Sequence, residues 1–456
     1  MRPRALIITC ICLSLCAMGI GCSKHNSEDQ SPNAAVNTPQ DPTASVKSIR
    51  VLCAESTTAK HLDALALDYK SKTGVSVDFV TVPANDLMSH VEKDVWGKRS
   101  AEFDLVAIDR SRIGYAVTDG HVLDITDWAQ SGVPWSLIPA PIKVYFCQYQ
   151  AHIYGFPLSP DALALVYRKD LFSNGAEQTA YSGKFGRKLS PPTSWPELLD
   201  TARFFTRPSK GQFGAALFYK GGDDGSITSG FTPLLWSTGN DYRDDMKGTV
   251  YGFVNSPGSI DALKLYAVDL KACCPPGAEN FGAEEALKAF SDGKAAMAMC
   301  WISDYAKLTD KAVNRYASDT GIITLPKGAA GLAASLRGDL LAVSVYSKKQ
   351  DAAKGFVKWF ANTAQQMRWA GMNELSANSQ AIKATLKSTP SPALEVFGAS
   401  APYLKDFYNE PERPILLDVV QTDWHNVADG AMTPKVAMDD IAVKHTTILK
   451  HAGTLK

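Results

Sequence analysis

The chain has no excess of charge of either sign: 47 Lys and Arg stand against 47 Asp and Glu over 456 residues. That balance excludes the strong basic field of a general nucleic-acid binder and also an acidic disordered tail. Catalytic fingerprints are missing too. There is no G-x-S-x-G elbow, no H-E-x-x-H, no P-loop ending in Gly-Lys-Ser or Gly-Lys-Thr, and no Rossmann glycine pattern. The 8 histidines fall at no metal-ligand spacing, and no cofactor is implied. Cysteine is scarce where a fold would use it. Of 9 in all, Cys10, Cys12 and Cys16 lie in an apolar leader and Cys22 ends it. Cys53, Cys147 and Cys300 sit in apolar stretches, as buried free thiols do. The vicinal pair Cys273-Cys274 admits a strained disulfide or a metal site, but two unpaired thiols fit better.

What is present begins with an address. Arg2 and Arg4 precede an apolar run from Ala5 to Ile20, then small residues around Gly21-Cys22. That is the build of a secretory signal peptide. The run is short for a membrane span, which needs ~20 residues, and no basic stop-transfer flank follows. Its end resembles a bacterial lipobox in which Cys22 takes the lipid, although Gly19 stands where Leu is usual; ordinary secretion with cleavage nearby is the alternative. Residues 23–47 are poor in bulky apolar side chains and read as a flexible tether.

The body opens as strand, helix, strand, helix, strand: Ile49 to Cys53, Lys60 to Thr73, Val75 to Val80, Asn85 to Trp96, Phe103 to Ile108. That alternation implies a parallel α/β sheet, with ligands gathering outside the carboxyl ends of its strands. Further strands are expected at Leu163 to Tyr167, Ala296 to Cys300, Gly321 to Leu325 and Leu340 to Val345. Helices are expected near Trp195 to Phe205, Ser259 to Lys271, Glu284 to Ser291 and Asp351 to Asn362. Thr193 or Ser194 caps the first of these, with Pro196 in its first turn. Length and alternation divide the body into two α/β lobes.

Six segments then fall in a recognisable order. They are Phe103 to Arg110 with Gly120 and Leu123; Tyr154-Gly155-Phe156-Pro157 through Asp161 to Phe172; Pro192 to Leu198; Pro233-Leu234-Leu235-Trp236; Ala289 to Met297 leading to Trp301; and Gly338 to Ser344 with the Ala352-Ala353 helix. In this order the chain resembles extracellular solute-binding proteins of ABC importers, in the carbohydrate-binding group that includes maltose-binding protein. The resemblance implies the type II periplasmic-binding-protein fold, two mixed α/β lobes with a ligand cleft between them. It implies a first lobe of residues 48–159 and 327–372 and a second of 160–326 and 373–456. It further implies a monomer, held to the membrane by its lipid anchor, that hands a small-molecule solute, a carbohydrate by preference, to permease subunits. A stand-alone tethered receptor shares the same sequence features; a binder of metal ions or peptides is a further alternative, although the Tyr and His that a ferric site would want are clustered in no one segment.

Sugars are held by planar hydrogen-bonding groups and by aromatic faces. By resemblance, Asp109-Arg110 would grip hydroxyls, Asp161 would add a carboxylate, and Trp301 and Trp424 would be stacking platforms. Trp236, Glu55, Ser56 and Thr57 are further cleft candidates; packing competes for Trp236 and helix capping for the other three. Where relatives carry Gly-Gly-Trp-Gly this chain has Arg337-Gly338-Asp339-Leu340, so Arg337 and Asp339 are candidates for a polar or charged solute. The carboxylates Asp109 and Asp161 could in principle run glycoside hydrolysis, but nothing raises either above a ligand contact.

Overall fold

The computed structural model describes residues 46–222, 225–244 and 247–455. The expected signal peptide, the lipidation site Cys22 and all but the end of the tether lie outside the described residues.

Two sheets organise the body. The first runs β2 (Ser76–Val82), β1 (Ser48–Ala54), β3 (Leu105–Asp109), β12 (Asp339–Val343), β6 (Gly155–Pro157). β1 pairs in parallel with β2 and β3, whereas β12 is antiparallel to both β3 and β6, so the sheet is mixed. Leu105 to Ile108 are fully buried, as a strand covered on both faces must be. The helix Thr57–Thr73 lies between β1 and β2, with Ser56 as its N-cap and Gly74 closing it in the left-handed region. The helix Gln350–Ala361 packs Phe356 against Tyr69 and Phe79, which places it in the first lobe. The region expected as one helix over Asn85 to Trp96 is broken into a 3-10 turn, Leu87–His90 and a wider-wound turn Val91–Trp96.

The second sheet runs β13 (Leu404–Lys405), β11 (Ala334–Arg337), β7 (Asp161–Arg168), β9 (Ala295–Trp301), β8 (Phe213–Ala216). β10 (Thr320–Thr324) pairs with the far end of β7, beyond the residues that β11 uses. A small hairpin, β4 (Gln148–Tyr149) with β5 (His152–Ile153), stands apart from both. Among the described residues Cys53, Cys147, Cys273, Cys274 and Cys300 are buried free thiols, and no helix is long and apolar enough to cross a membrane.

The chain crosses between sheets where β6 gives way to β7 and again where β11 gives way to β12. The strand Ala334–Arg337 pairs with β7, so the chain returns to the first sheet at Gly338 and not at the expected 327. The second crossing is a single residue. Gly338 has φ +126, and a Cβ there would run into the carbonyl oxygen of Ser159 on the neighbouring crossing, so only glycine fits. Leu158 and Ser159 donate their amides to the Asp339 carbonyl at 2.9 and 3.2 Å, tying the two crossings together.

Candidate functional site

On the first lobe the site begins where β3 ends. Asp109 accepts the Ser111 amide at 2.7 Å and so caps the turn Arg110–Arg112. The turn aims Arg110 at the other lobe. This side chain is only 2% exposed and is ion-paired with Asp406 of the second lobe. Its Nε and Nη2 are buried without a hydrogen-bond partner. Burial, followed by the charge of Arg413, drives its pKa well below the usual guanidinium range. Arg413 takes the same carboxylate at 2.9 Å and donates to the Tyr408 carbonyl at 2.7 Å. Its pKa is brought down to about 10, again by burial. Two guanidinium groups thus converge on one carboxylate between the lobes. An unsatisfied buried donor costs roughly 1–3 kcal/mol, so the free edge of Arg110 is primed for an acceptor.

The second lobe supplies the facing wall. The helix Ser226–Ser237 contributes Thr228, Ser229, Thr232 and Trp236, β11 contributes Ser335 to Arg337, and Arg413, Leu417 and Gln421 form one stripe of the helix Arg413–Asp429. With Asp109 to Ser111 opposite, these residues enclose a cavity of about 230 Å³. The wall is stitched by its own bonds: Thr232 and Ser335 share a 3.0 Å hydrogen bond, and Ser335 Oγ donates to the Ser229 carbonyl at 2.7 Å. The Thr228 hydroxyl is buried with no protein partner.

Of the residues singled out in the sequence, Asp109, Arg110, Trp236 and Arg337 line this cavity. Arg337 is joined to two more of them. Its guanidinium lies 4.4 Å over the Trp301 ring and donates to Asp161 at 3.1 Å, while Ser303 Oγ donates to Asp161 at 2.7 Å. Trp301 is therefore covered by Arg337 and is 5% exposed. Burial pushes the Asp161 carboxyl up, against the pull of Arg337 and Ser303. Asp339 stands opposite Asp109 across the β12 and β3 pair, and burial, with Asp109 adding to it, pushes its carboxyl up to about 7.

Seven expectations need correction: Asp161 and Trp301 do not line the cavity and meet it only through Arg337, Asp339 does not line it and stands opposite Asp109, and four others stand away from it. Trp424 is no platform: it is fully buried, edge-on to Phe231 and stacked behind Tyr242, one turn past Gln421. Ser56 spends its hydroxyl on the Ala59 amide at 3.0 Å, and Glu55 and Thr57 are exposed; none of the three lines the cavity. The residues that sequence reasoning passed over are Thr228, Thr232, Ser335, Asp406, Arg413 and Gln421. The signal available was spacing: Thr228, Thr232 and Trp236 recur at intervals of four, as do Arg413, Leu417 and Gln421.

A sequence profile described as bacterial extracellular solute-binding protein matches residues 55–367. A probable ABC transporter-binding protein of Deinococcus radiodurans is 26% identical over 332 residues, 71% of this chain and 74% of that one. A mannitol-binding protein of Pseudomonas aeruginosa is 26% identical over 308 residues, 65% of this chain; the chain spans 64% of that relative's length. Among solved structures, a ribitol complex of a solute-binding protein from Agrobacterium radiobacter K84 superposes with a TM-score of 0.70 at 23% identity, covering 90% of this chain and 100% of that one. A maltose-bound protein of T. maritima gives 0.70 at 20% identity, covering 88% and 100%. What these structures share with the chain is the two-lobed periplasmic-binding-protein fold.

Proposed function

The chain belongs to the bacterial extracellular solute-binding protein family, and we propose that it captures a polyol or monosaccharide between its lobes and delivers it to the permease of an ABC importer. The observation that carries this reading is the chemistry of the interlobe cavity. Each hydroxyl of a polyhydroxy solute both donates and accepts. Arg110 offers unpartnered donors, Asp109 and Asp406 offer acceptors, Thr228 offers an unpartnered hydroxyl that can do either, and Trp236 adds an apolar face. The volume of about 230 Å³ lies below the ~300–1,000 Å³ of clefts for drug-sized ligands, which suits one sugar or polyol unit. The relative named for mannitol and the neighbour holding ribitol support the same solute class.

In this reading Arg110 and Asp109 grip hydroxyls from the first lobe. Arg337, steadied by Trp301 and Asp161, reaches them from the second. The protein binds and does not catalyse, and it works as a monomer, since both walls of the cavity come from one chain. The apolar leader and Cys22 support export and a lipid anchor, with residues 23–47 as the tether that lets the body reach its permease. Replacing Cys22 with Ala should release the protein from the membrane fraction.

A thermal-shift series over ribitol, mannitol, glucose and galactose tests the solute class. A ligand at about 100 times its dissociation constant adds ~2.7 kcal/mol to the folded state, so the preferred solute should raise Tm by several degrees. Shifts with peptides or metal ions and none with any polyol or sugar would overturn the reading.

A further inference from the structure

The cavity between the lobes does not stand alone. A second cavity of about 540 Å³ meets it at Trp236, and a third of about 890 Å³ meets it at Tyr242, Asp406 and Phe407. Both outer cavities reach the surface, where Val144 and Tyr403 are each 51% exposed. The residues shared between inner and outer space form one continuous partition. Trp236 meets Tyr242 edge to face at 5.9 Å, and Tyr242 meets Phe407 in the same way at 4.4 Å. One end is pinned, because Trp236 Nε1 donates to Asp241 at 2.9 Å and Lys405 lies over the Trp236 ring while bonding Asp241 at 2.9 Å. The other end is fastened across the lobes, by the Asp406 and Arg110 ion pair and by Asn409 Nδ2 donating to the Gln148 carbonyl at 3.2 Å.

We infer that this partition sets the length of the solute: the Trp236, Tyr242 and Phe407 rings, sealed to the first lobe by Asp406 on Arg110, hold it to a single polyol or monosaccharide unit. The inference rests on the reading of the site as one for polyhydroxy solutes and adds a specificity-determining role for Tyr242, Asp406 and Phe407. Were the partition removed, the space beyond it, flanked by Tyr145 and Tyr149, would take a second sugar unit. The aromatic side chains matter because a ring blocks passage with few rotamers to lose, whereas a flexible side chain would swing aside.

The first test needs no variant. Calorimetric affinities of the full chain for glucose, maltose and maltotriose, and for mannitol against maltitol, should favour the single unit over its two-unit counterpart by about a hundredfold. A ratio near one in the wild type would overturn the partition and leave the polyhydroxy reading standing. No binding of any polyol or saccharide, of any length, would take down both. Phe407→Ala should then narrow the ratio by at least about tenfold. Asp406→Asn, which keeps the side chain's shape while weakening its hold on Arg110, should narrow it as well. Melting curves identify which variants remain folded, and an unchanged ratio in a cooperatively melting variant would overturn the assignment.

Discussion

The two walls of the cavity are built in different ways. The first lobe gives it one turn, Asp109 to Ser111, whose character is charge. The second gives two helices, a strand end and the Asp406-Phe407 segment, which add hydroxyls and rings to the charges of Asp406, Arg337 and Arg413. The second wall is held by its own hydrogen bonds; the first touches it through an ion pair between lobes. A wall of one turn can withdraw by giving up the Arg110 and Asp406 ion pair, whereas the stitched wall stays assembled. In the proposed reading the second lobe would hold the solute and the first would close over it, its charge making closure depend on what lies between.

The severest way to break that contrast is Arg110→Met. Hydrogen bonds from a charged donor contribute about 1.5–3 kcal/mol each, so losing this side chain should weaken the preferred polyol by about a hundredfold in calorimetry. A loss under tenfold would mean that the first lobe is no wall at all. The same contrast sharpens under pH, where a buried carboxyl of the first sheet and a buried histidine of the second lobe act in opposite directions. Burial drives the pKa of fully buried His445, in the helix Pro434–His451, down to about 4. Its contribution is complete above the unfolded value of ~6.5 and is lost as pH falls toward 4. Asp339 is raised to about 7, so its contribution is present in acid and lost as pH rises through 7. Each should change urea-measured stability by about 2 kcal/mol between pH 7 and 5, with opposite sign. The comparison is made as wild type minus His445→Leu and wild type minus Asp339→Asn; equal signs would refute the burial of one group.

Smaller effects test the stitched wall. Thr228→Val removes one hydroxyl facing the cavity and should cost about 1 kcal/mol of binding, roughly fivefold in affinity. No loss would show that this hydroxyl does not meet the solute. Least of all, Glu55→Ala should leave affinity within about twofold, because Glu55 is exposed and outside the cavity lining. A tenfold loss there would give the first lobe a second gripping segment and erase the asymmetry.

How far the sequence led follows from burial. Strand β3 was legible because Leu105 to Ile108 form an uninterrupted apolar run with Asp109 and Arg110 directly behind it. The helix Trp195–Phe205 was legible because its cap is chemical: Ser194 Oγ accepts the Glu197 amide at 3.4 Å, and Pro196 sits in the first turn. The helix Ser226–Ser237 escaped notice because 11 of its residues are buried, so apolar residues on every side mask the four-residue spacing of Thr228, Thr232 and Trp236. Asp406 lies in an irregular segment, where no periodicity exists to read. Trp424 misled for a related reason. Tryptophan serves cores and platforms equally well, and only its neighbours, Phe231 and Tyr242, reveal which role applies.

The single-residue crossing at Gly338 sets a lever arm. Rotation displaces each atom in proportion to its distance from the axis, and Ser335, Leu336 and Arg337 are the last residues before that crossing. In the proposed reading, a turn of the lobes about Gly338 would move the floor beside it little while the outer rim would sweep a wide arc. On that reading the contacts beside Gly338 would stay nearly stationary, and solute would enter and leave at the rim. Distances between spin labels on the two lobes would measure this directly, changing strongly at the rim and barely at Arg337.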